Sequence, residues 1–295
     1  MRLPVPLRRD EPCTDGAPHI RVLTLNLHKG FTAMNRRYVL AEMREAVRAT
    51  SADIVFLQEV AGAAAHRHDL GPVRKLAGRA ARRIGGRGAA VPGGTGSVAA
   101  GPALMRVPQY EFLADTIWHQ HAYGRNAVSP AGHHGNALLS KFPILRHRNV
   151  DVSMDFDGEE KRGLLHCELE LPGCELPLHA ICVHLGLKEA QRQRQIDLLG
   201  QLLHDTVPAN APLVIAGDFN DWRLCAHHRL QRELHLQEVH AHAHGRTPRT
   251  FPARHPVLRL DRIYVRNLRH APLGLPKRPW SHLSDHAPLA AEVML

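Results

Sequence analysis

The chain has 295 residues, 44% of them hydrophobic, enough to bury a full core as one large domain or two small ones. No run approaches the roughly 18–20 uncharged apolar residues of a membrane span, and five cysteines without a C-x-x-C pair argue against a disulfide framework or a zinc site. The formal charge of +10 invites a nucleic-acid reading, but +7 of it lies between Ala61 and Pro108, and 5% aromatics are few for gripping single strands by stacking.

Residues 1–18 are rich in proline and charge and read as a loose arm. Arg8, Arg9 and Asp10 interrupt the place where a signal peptide needs its apolar run, so a cytoplasmic location is expected. From Ile20, IRVLTLNLH alternates as a strand; Val39, Leu40, Met43 and Val47 then mark a helix over roughly 38–50, and ADIVFLQEV is a second strand. This strand–helix–strand opening points to an α/β domain.

Residues 61–108 interrupt the pattern. Ala, Gly and Arg dominate there, which reads as a disordered surface insertion; no G-K-[ST] follows its glycines, so a phosphate-cradling loop is not supported. Beyond Gln109, the segments GNALLSKFPI, LLHCELELP and LPLHAICVHLG read as strands, followed by a helix over about 187–204. The strand APLVIAGDFN, a polar His-rich loop near 240–248, and the strands LRLDRIYVRN and APLAAEVML complete the chain. The pairs His133–His134 and His227–His228 read as solvated loop residues. No linker divides residues 19–295, so a single domain of two packed sheets with helices outside is expected.

Five segments place polar or acidic residues at the ends of apolar strands: Asn26 in LTLNLHKG, Glu59 in DIVFLQEV, His184 in CVHLG, Asp218 and Asn220 in AGDFND, and Asp285 and His286 in LSDHAPL. Asp261 sits within the apolar run LRLDRIYV. Each alone reads as a turn former or a structural polar residue. Together they read differently: burying the carboxylates costs several kcal/mol apiece unless a hard divalent cation offsets it, and Glu59, Asp285 and the amide oxygen of Asn26 are the oxygen donors magnesium prefers. The absence of an accompanying thiolate counts against zinc.

The order N…E…H…GDFN…D…SDH resembles the endonuclease/exonuclease/phosphatase superfamily, from about residue 20 to the C-terminus without the insertion. QYEFLADTIWHQHAYGRNAV, HHGNALLSKFPI and TFPARHPVLRLDRIYVRN are similar to a bacterial branch of it. The resemblance implies a deoxyribonuclease I-like, four-layer α/β/β/α sandwich. It implies Glu59 as principal metal ligand with Asn26 and Asp285 beside the ion, which is magnesium, with manganese able to substitute. Asp218 would orient or deprotonate water and Asn220 would hold a phosphate oxygen. His286, oriented by Asp261, would act as base or as donor to phosphorus, with His184 opposite.

Arg162, Arg125, Asn126, His134 and Asn136 are candidates for the substrate rim. His28 departs from the pattern: some nuclease relatives carry an acid there, so its presence favours a single magnesium. The expected activity is magnesium-dependent phosphodiester hydrolysis, with DNA or RNA the leading substrate. The alternatives are a phospholipid or inositol-phosphate esterase, with the basic insertion meeting an anionic membrane, and an inactive binding module. The intact set Glu59, Asp218, Asn220, Asp261 and His286 argues against the last. No obligate protein partner is expected.

Overall fold

The structure, a computed structural model, describes residues 19–62, 107–129, 132–154 and 160–295. The expected arm at 1–18 and all but the two ends of the 61–108 insertion lie outside them. The elements in chain order are β1 (His19–Asn26), α1 (Leu40–Ala49), β2 (Ile54–Ala61), α2 (Gln109–Ala114), β3 (Gln120–Ser129), β4 (Gly132–Ser140), β5 (Ile144–Asp151), β6 (Gly163–Leu169) and β7 (Leu178–His184). They continue with α3 (Glu189–Thr206), β8 (Leu213–Asp218), α4 (Cys225–Glu233), β9 (Gln237–Glu238), α5 (Val239–His244), β10 (Asp261–Arg266), β11 (Arg269–Leu273), α6 (Lys277–Trp280) and β12 (Leu289–Met294).

Two six-stranded sheets form, ordered β11-β12-β1-β2-β4-β3 and β5-β6-β7-β8-β10-β9. Each contains one parallel pair, β1 with β2 and β7 with β8, and the remaining pairs are antiparallel. Parallel neighbours need a crossover, and a helix supplies each one: α1 joins β1 to β2, and α3 joins β7 to β8. The molecule thus carries one strand–helix–strand unit per sheet.

Strand alternation splits the core into three apolar layers. Ile20, Val22, Ile54, Phe56 and Leu138 of the first sheet meet Leu165, Ala180, Val214 and Ile263 of the second between the sheets. Leu23, Leu25, Val55 and Leu57 turn outward onto Met43 and Val47 of α1. Ile181, Val183 and Ile215 turn outward onto Ile196 and Leu199 of α3. The result is the deoxyribonuclease I-like α/β/β/α sandwich.

The stretch near 240–248, expected to be a loop, opens as the short helix α5. The Glu238 side chain caps it by accepting the Ala241 N–H, a stop-and-start signal hidden in an otherwise polar run. His227 is also not a loop residue: it is buried in α4, with Nδ1 2.9 Å from the Tyr264 hydroxyl. His133 and His134 lie on β4.

Candidate active site

The two parallel pairs end at the same edge of the sandwich. The end of β1 carries Asn26, the end of β7 His184 and the end of β8 Asp218, while Glu59 lies late in β2. Glu59 falls where the β2–β4 register shifts, between Leu57 and Val60, and its φ of 53° is left-handed. A bulge of this kind re-aims a side chain that regular alternation would place elsewhere. β10 runs antiparallel to β8 with Asp261 opposite Asp218, and the turn before β12 brings in Asp285 and His286.

Asn26 joins the sheets. Its Nδ2 donates to Glu59 Oε1 at 3.1 Å and to Asp218 Oδ2 at 3.3 Å, while its Oδ1 accepts the His28 backbone N–H at 2.9 Å. The amide oxygen expected beside the cation is therefore turned to the backbone, and the amide nitrogen faces the carboxylates. The Ser284 hydroxyl donates to the Asn26 carbonyl at 2.7 Å and accepts the His286 N–H, tying the last turn to β1.

Around this bridge the charged groups separate into two poles. The first is closed. Asp218 and Asp261 are 2% and 1% exposed, and His286 lies between them, Nδ1 2.8 Å from Asp261 Oδ2 and Nε2 3.9 Å from Asp218 Oδ2. Burial opposes the imidazolium, but Asp261 and Asp218 outweigh it and hold the His286 pKa at about 10. Burial pushes Asp218 up to about 6, with the His286 cation working against the rise. His184 Nε2 stands 3.6 Å from Asp218 Oδ2, and burial followed by the charge of Arg162 drives its pKa far down, leaving it neutral. Phe251 packs against the His286 ring at 5.0 Å.

The second pole is open. Glu59 and Asp285 side chains are 21% and 19% exposed, and neither meets a lysine or arginine within 4 Å among the described residues. Their shared basic contact is His28, whose Nδ1 lies 3.3 Å from Asp285 Oδ2 and 3.9 Å from Glu59 Oε2.

A divalent ion fits the second pole better than the first. Among the described residues, the donor groups already closed within 4.8 Å are Asp218–Asp261–His286 and Glu189–Asp221–Cys225. Both are neutralised from within: His286 sits between its two carboxylates, Asp221 pairs with Arg262, and Glu189 pairs with Arg192. Glu59 and Asp285 span a wider gap, keep solvent access and offer hard oxygens without a fixed cation, which is the donor chemistry of a loadable site.

The GDFN turn rests on a buried frame. Gly217 has φ 148°, and a side chain there would drive a Cβ to 2.0 Å from the Val183 carbonyl, so only glycine allows β8 to lie this close to β7. Asn220, left-handed at φ 49°, donates its N–H to Asp218 Oδ1 at 2.9 Å and its Nδ2 to the Leu185 carbonyl at 3.0 Å. Asp221 and Arg262, both fully buried, pair at 3.1 Å and anchor the turn to β10. No local signal marks this pair in the sequence, because its carboxylate and guanidinium lie 41 positions apart.

The rim candidates divide. Arg162 is 8% exposed and donates to Glu160 Oε2 at 2.9 Å; the other Glu160 oxygen faces His134 Nε2 at 3.0 Å and Lys29 at 3.8 Å. That linkage borders the Asp218 side through the electrostatic reach of Arg162 to His184. Arg125 is exposed, and Asn126 accepts from Asn149 at 2.9 Å. Asn136 is not a rim residue. It is 0% exposed, and its Nδ2 bridges the sheets by donating to the Gly163 and Cys182 carbonyls.

A two-sheet sandwich with an acid–imidazole edge defines a class of proteins, and sequence comparison agrees with it. The model of the endonuclease/exonuclease/phosphatase family matches residues 23–286, and the chain belongs to that family. The Escherichia coli K12 protein YbhP, described as uncharacterised, is 49% identical over 276 residues, covering 93% of this chain and 96% of that one. Among solved structures, an endonuclease/exonuclease/phosphatase from Beutenbergia cavernae superposes with a TM-score of 0.64 at 17% identity, covering 94% of this chain and 72% of that one. A mannosyl-6-phosphatase from Bacteroides thetaiotaomicron superposes with a TM-score of 0.62 at 13% identity, covering 94% and 100%. Members of the family are generally phosphoester hydrolases and typically use divalent metals. No helix among the described residues is long and apolar enough to cross a membrane.

Proposed function

We infer that the chain is a divalent-metal-dependent phosphodiesterase, with nucleic acid the leading substrate class. The observation that carries this reading is the pairing of a closed Asp218–His286–Asp261 pole with an open Glu59–Asp285 pole, bridged by the Asn26 amide. In-line attack on phosphorus needs an oriented water, positive charge against the equatorial oxygens and support for the departing oxygen.

Asp218 Oδ2, already the focus of Asn26, His184 and His286, orients the attacking water and receives its proton. His286, held as an imidazolium by Asp261, donates from Nε2 to a phosphoryl oxygen, and Asp261 fixes the ring. The Nδ2 of Asn220 has one hydrogen committed to Leu185, and its second is free to hold a phosphate oxygen. Neutral His184 contributes a donor without adding charge. Glu59 and Asp285 would hold the divalent cation, and a bound cation would supply Lewis-acid polarisation to the phosphoryl group.

The test is a hydrolysis panel with magnesium or manganese, run on wild type and Asp218→Ala in parallel. Plasmid DNA, an abasic-site duplex, single-stranded RNA and bis-p-nitrophenyl phosphate form its diester arm. Cleavage of a nucleic acid that is lost in the variant is the expected result. A second reading, a phosphomonoesterase or phospholipid esterase, draws on the sugar-phosphatase neighbour and uses the same groups. Mannose 6-phosphate and vesicles of sphingomyelin or cardiolipin form its arm, and turnover confined to them would replace the nuclease reading. No metal-dependent turnover of any substrate would leave a binding module.

A further inference from the structure

We propose that the His28 imidazole is a third protein ligand of the Glu59–Asp285 cation site, binding through Nδ1, and that the site prefers a manganese-class transition ion to magnesium. This rests on the metal reading of that pole and extends it.

Spacing is the first argument. Two donors of one ion at about 2.1 Å lie roughly 3.0 Å apart when adjacent and about 4.2 Å when opposite. His28 Nδ1 stands 3.3 Å from Asp285 Oδ2 and 3.9 Å from Glu59 Oε2, inside that interval for both, while Glu59 and Asp285 stand wider apart from each other and would have to close toward His28 on a shared ion.

Backbone conformation is the second. His28 and Lys29 are consecutive non-glycine residues at φ 47° and 54°, a left-handed turn that glycine would enter without strain. The turn is held from both sides: the His28 N–H donates to Asn26 Oδ1 at 2.9 Å, and its carbonyl accepts the Phe31 N–H at 3.0 Å. Non-glycine residues persist in such conformations where the surroundings over-determine them, and these sites cluster with function. Glu59 and Asn220, on either side of the same centre, share the left-handed conformation.

The third argument is the lack of another task for the ring. His28 Nε2 is buried with no hydrogen-bond partner, so the polar contacts of the imidazole among the described residues are the two carboxylates.

Donor chemistry then sets the preference. Magnesium favours oxygen and keeps its waters, whereas imidazole suits transition ions, whose affinities rise along the divalent series.

The test is electron-spin-echo spectroscopy of Mn²⁺ bound to the full chain, with Mn²⁺ and Mg²⁺ affinities measured by calorimetry. His28→Gly is the first variant because glycine accepts the turn, and His28→Asp restores an oxygen donor. Wild type should show the ¹⁴N modulation of a directly bound imidazole, and His28→Gly should lose it. Mn²⁺ affinity in His28→Gly should fall by at least the ~10-fold that even a residue hydrogen-bonded to a ligand is worth. His28→Asp should recover binding without nitrogen modulation and with its preference moved toward Mg²⁺. Mn²⁺ bound in a Glu59-dependent way without nitrogen modulation, or modulation that survives in His28→Gly, would overturn this inference alone. Absence of Mn²⁺ binding would overturn the metal reading beneath it as well.

Discussion

The two poles of the site are built from the same residue types and solve opposite problems. At Asp218–His286–Asp261 the carboxylates are almost fully buried, and an imidazolium between them offsets their desolvation within the fold. At Glu59–Asp285 the carboxylates keep about a fifth of their exposure, and His28 is their one basic neighbour within 4 Å among the described residues. Burial separates the acids that are paired when the chain folds from those that stay open to solvent. A closed pole can position water and donate a proton, while an open pole can load an ion.

The largest effect should come from breaking the closed pole. Asp218→Ala and His286→Ala should each lower turnover by about 10²–10⁴-fold, the usual scale for losing a general acid or base, with far-UV circular dichroism unchanged. Full activity in both variants would remove the site assignment. Asp261→Asn is milder because it touches the substrate only through His286. It keeps a hydrogen-bond acceptor but removes the charge, and turnover should fall about 10–10²-fold with little change in KM. A change in KM alone would show that Asp261 serves binding and not the His286 ring.

A third acid sharpens the comparison, since it is buried with neither solution available. Glu238 caps α5 through one oxygen, and burial pushes its pKa up to about 7 against the backbone N–H groups that face it. A carboxyl raised in the folded state stabilises below its unfolded pKa of about 4.5 and loses that contribution as pH rises toward 7. Glu238→Gln should therefore leave turnover unchanged. It should make the protein more stable than wild type at pH 8, by up to roughly 3 kcal/mol, and not at pH 4. Urea denaturation at the two pH values measures this, and equal stabilities at pH 8 would show that the carboxylate is solvated.

Much of this contrast is legible in the chain. Apolar runs that end in Asn26, His184 and Asp218 announce strand ends, and their parallel pairing follows from the helices between them. The hidden parts depend on contacts between distant segments or on unusual backbone. β5 is an edge strand with most of its residues exposed, so it lacks the alternation that marks β1. Asn136 looks like a rim residue because nothing in HHGNALL shows that its amide will bridge two sheets. His28 reads as a departure from an acidic pattern, and only the left-handed turn reveals where its ring goes.

Calorimetric titration of Mg²⁺ and Mn²⁺ into wild type, Glu59→Ala and Asp218→Asn decides which pole takes the cation. With the ion at the open pole, Glu59→Ala loses the site, while Asp218→Asn binds both ions close to wild-type affinity. Binding that survives Glu59→Ala and disappears in Asp218→Asn would place the ion in the buried Asp218–Asp261–His286 cluster and contradict the open-pole assignment.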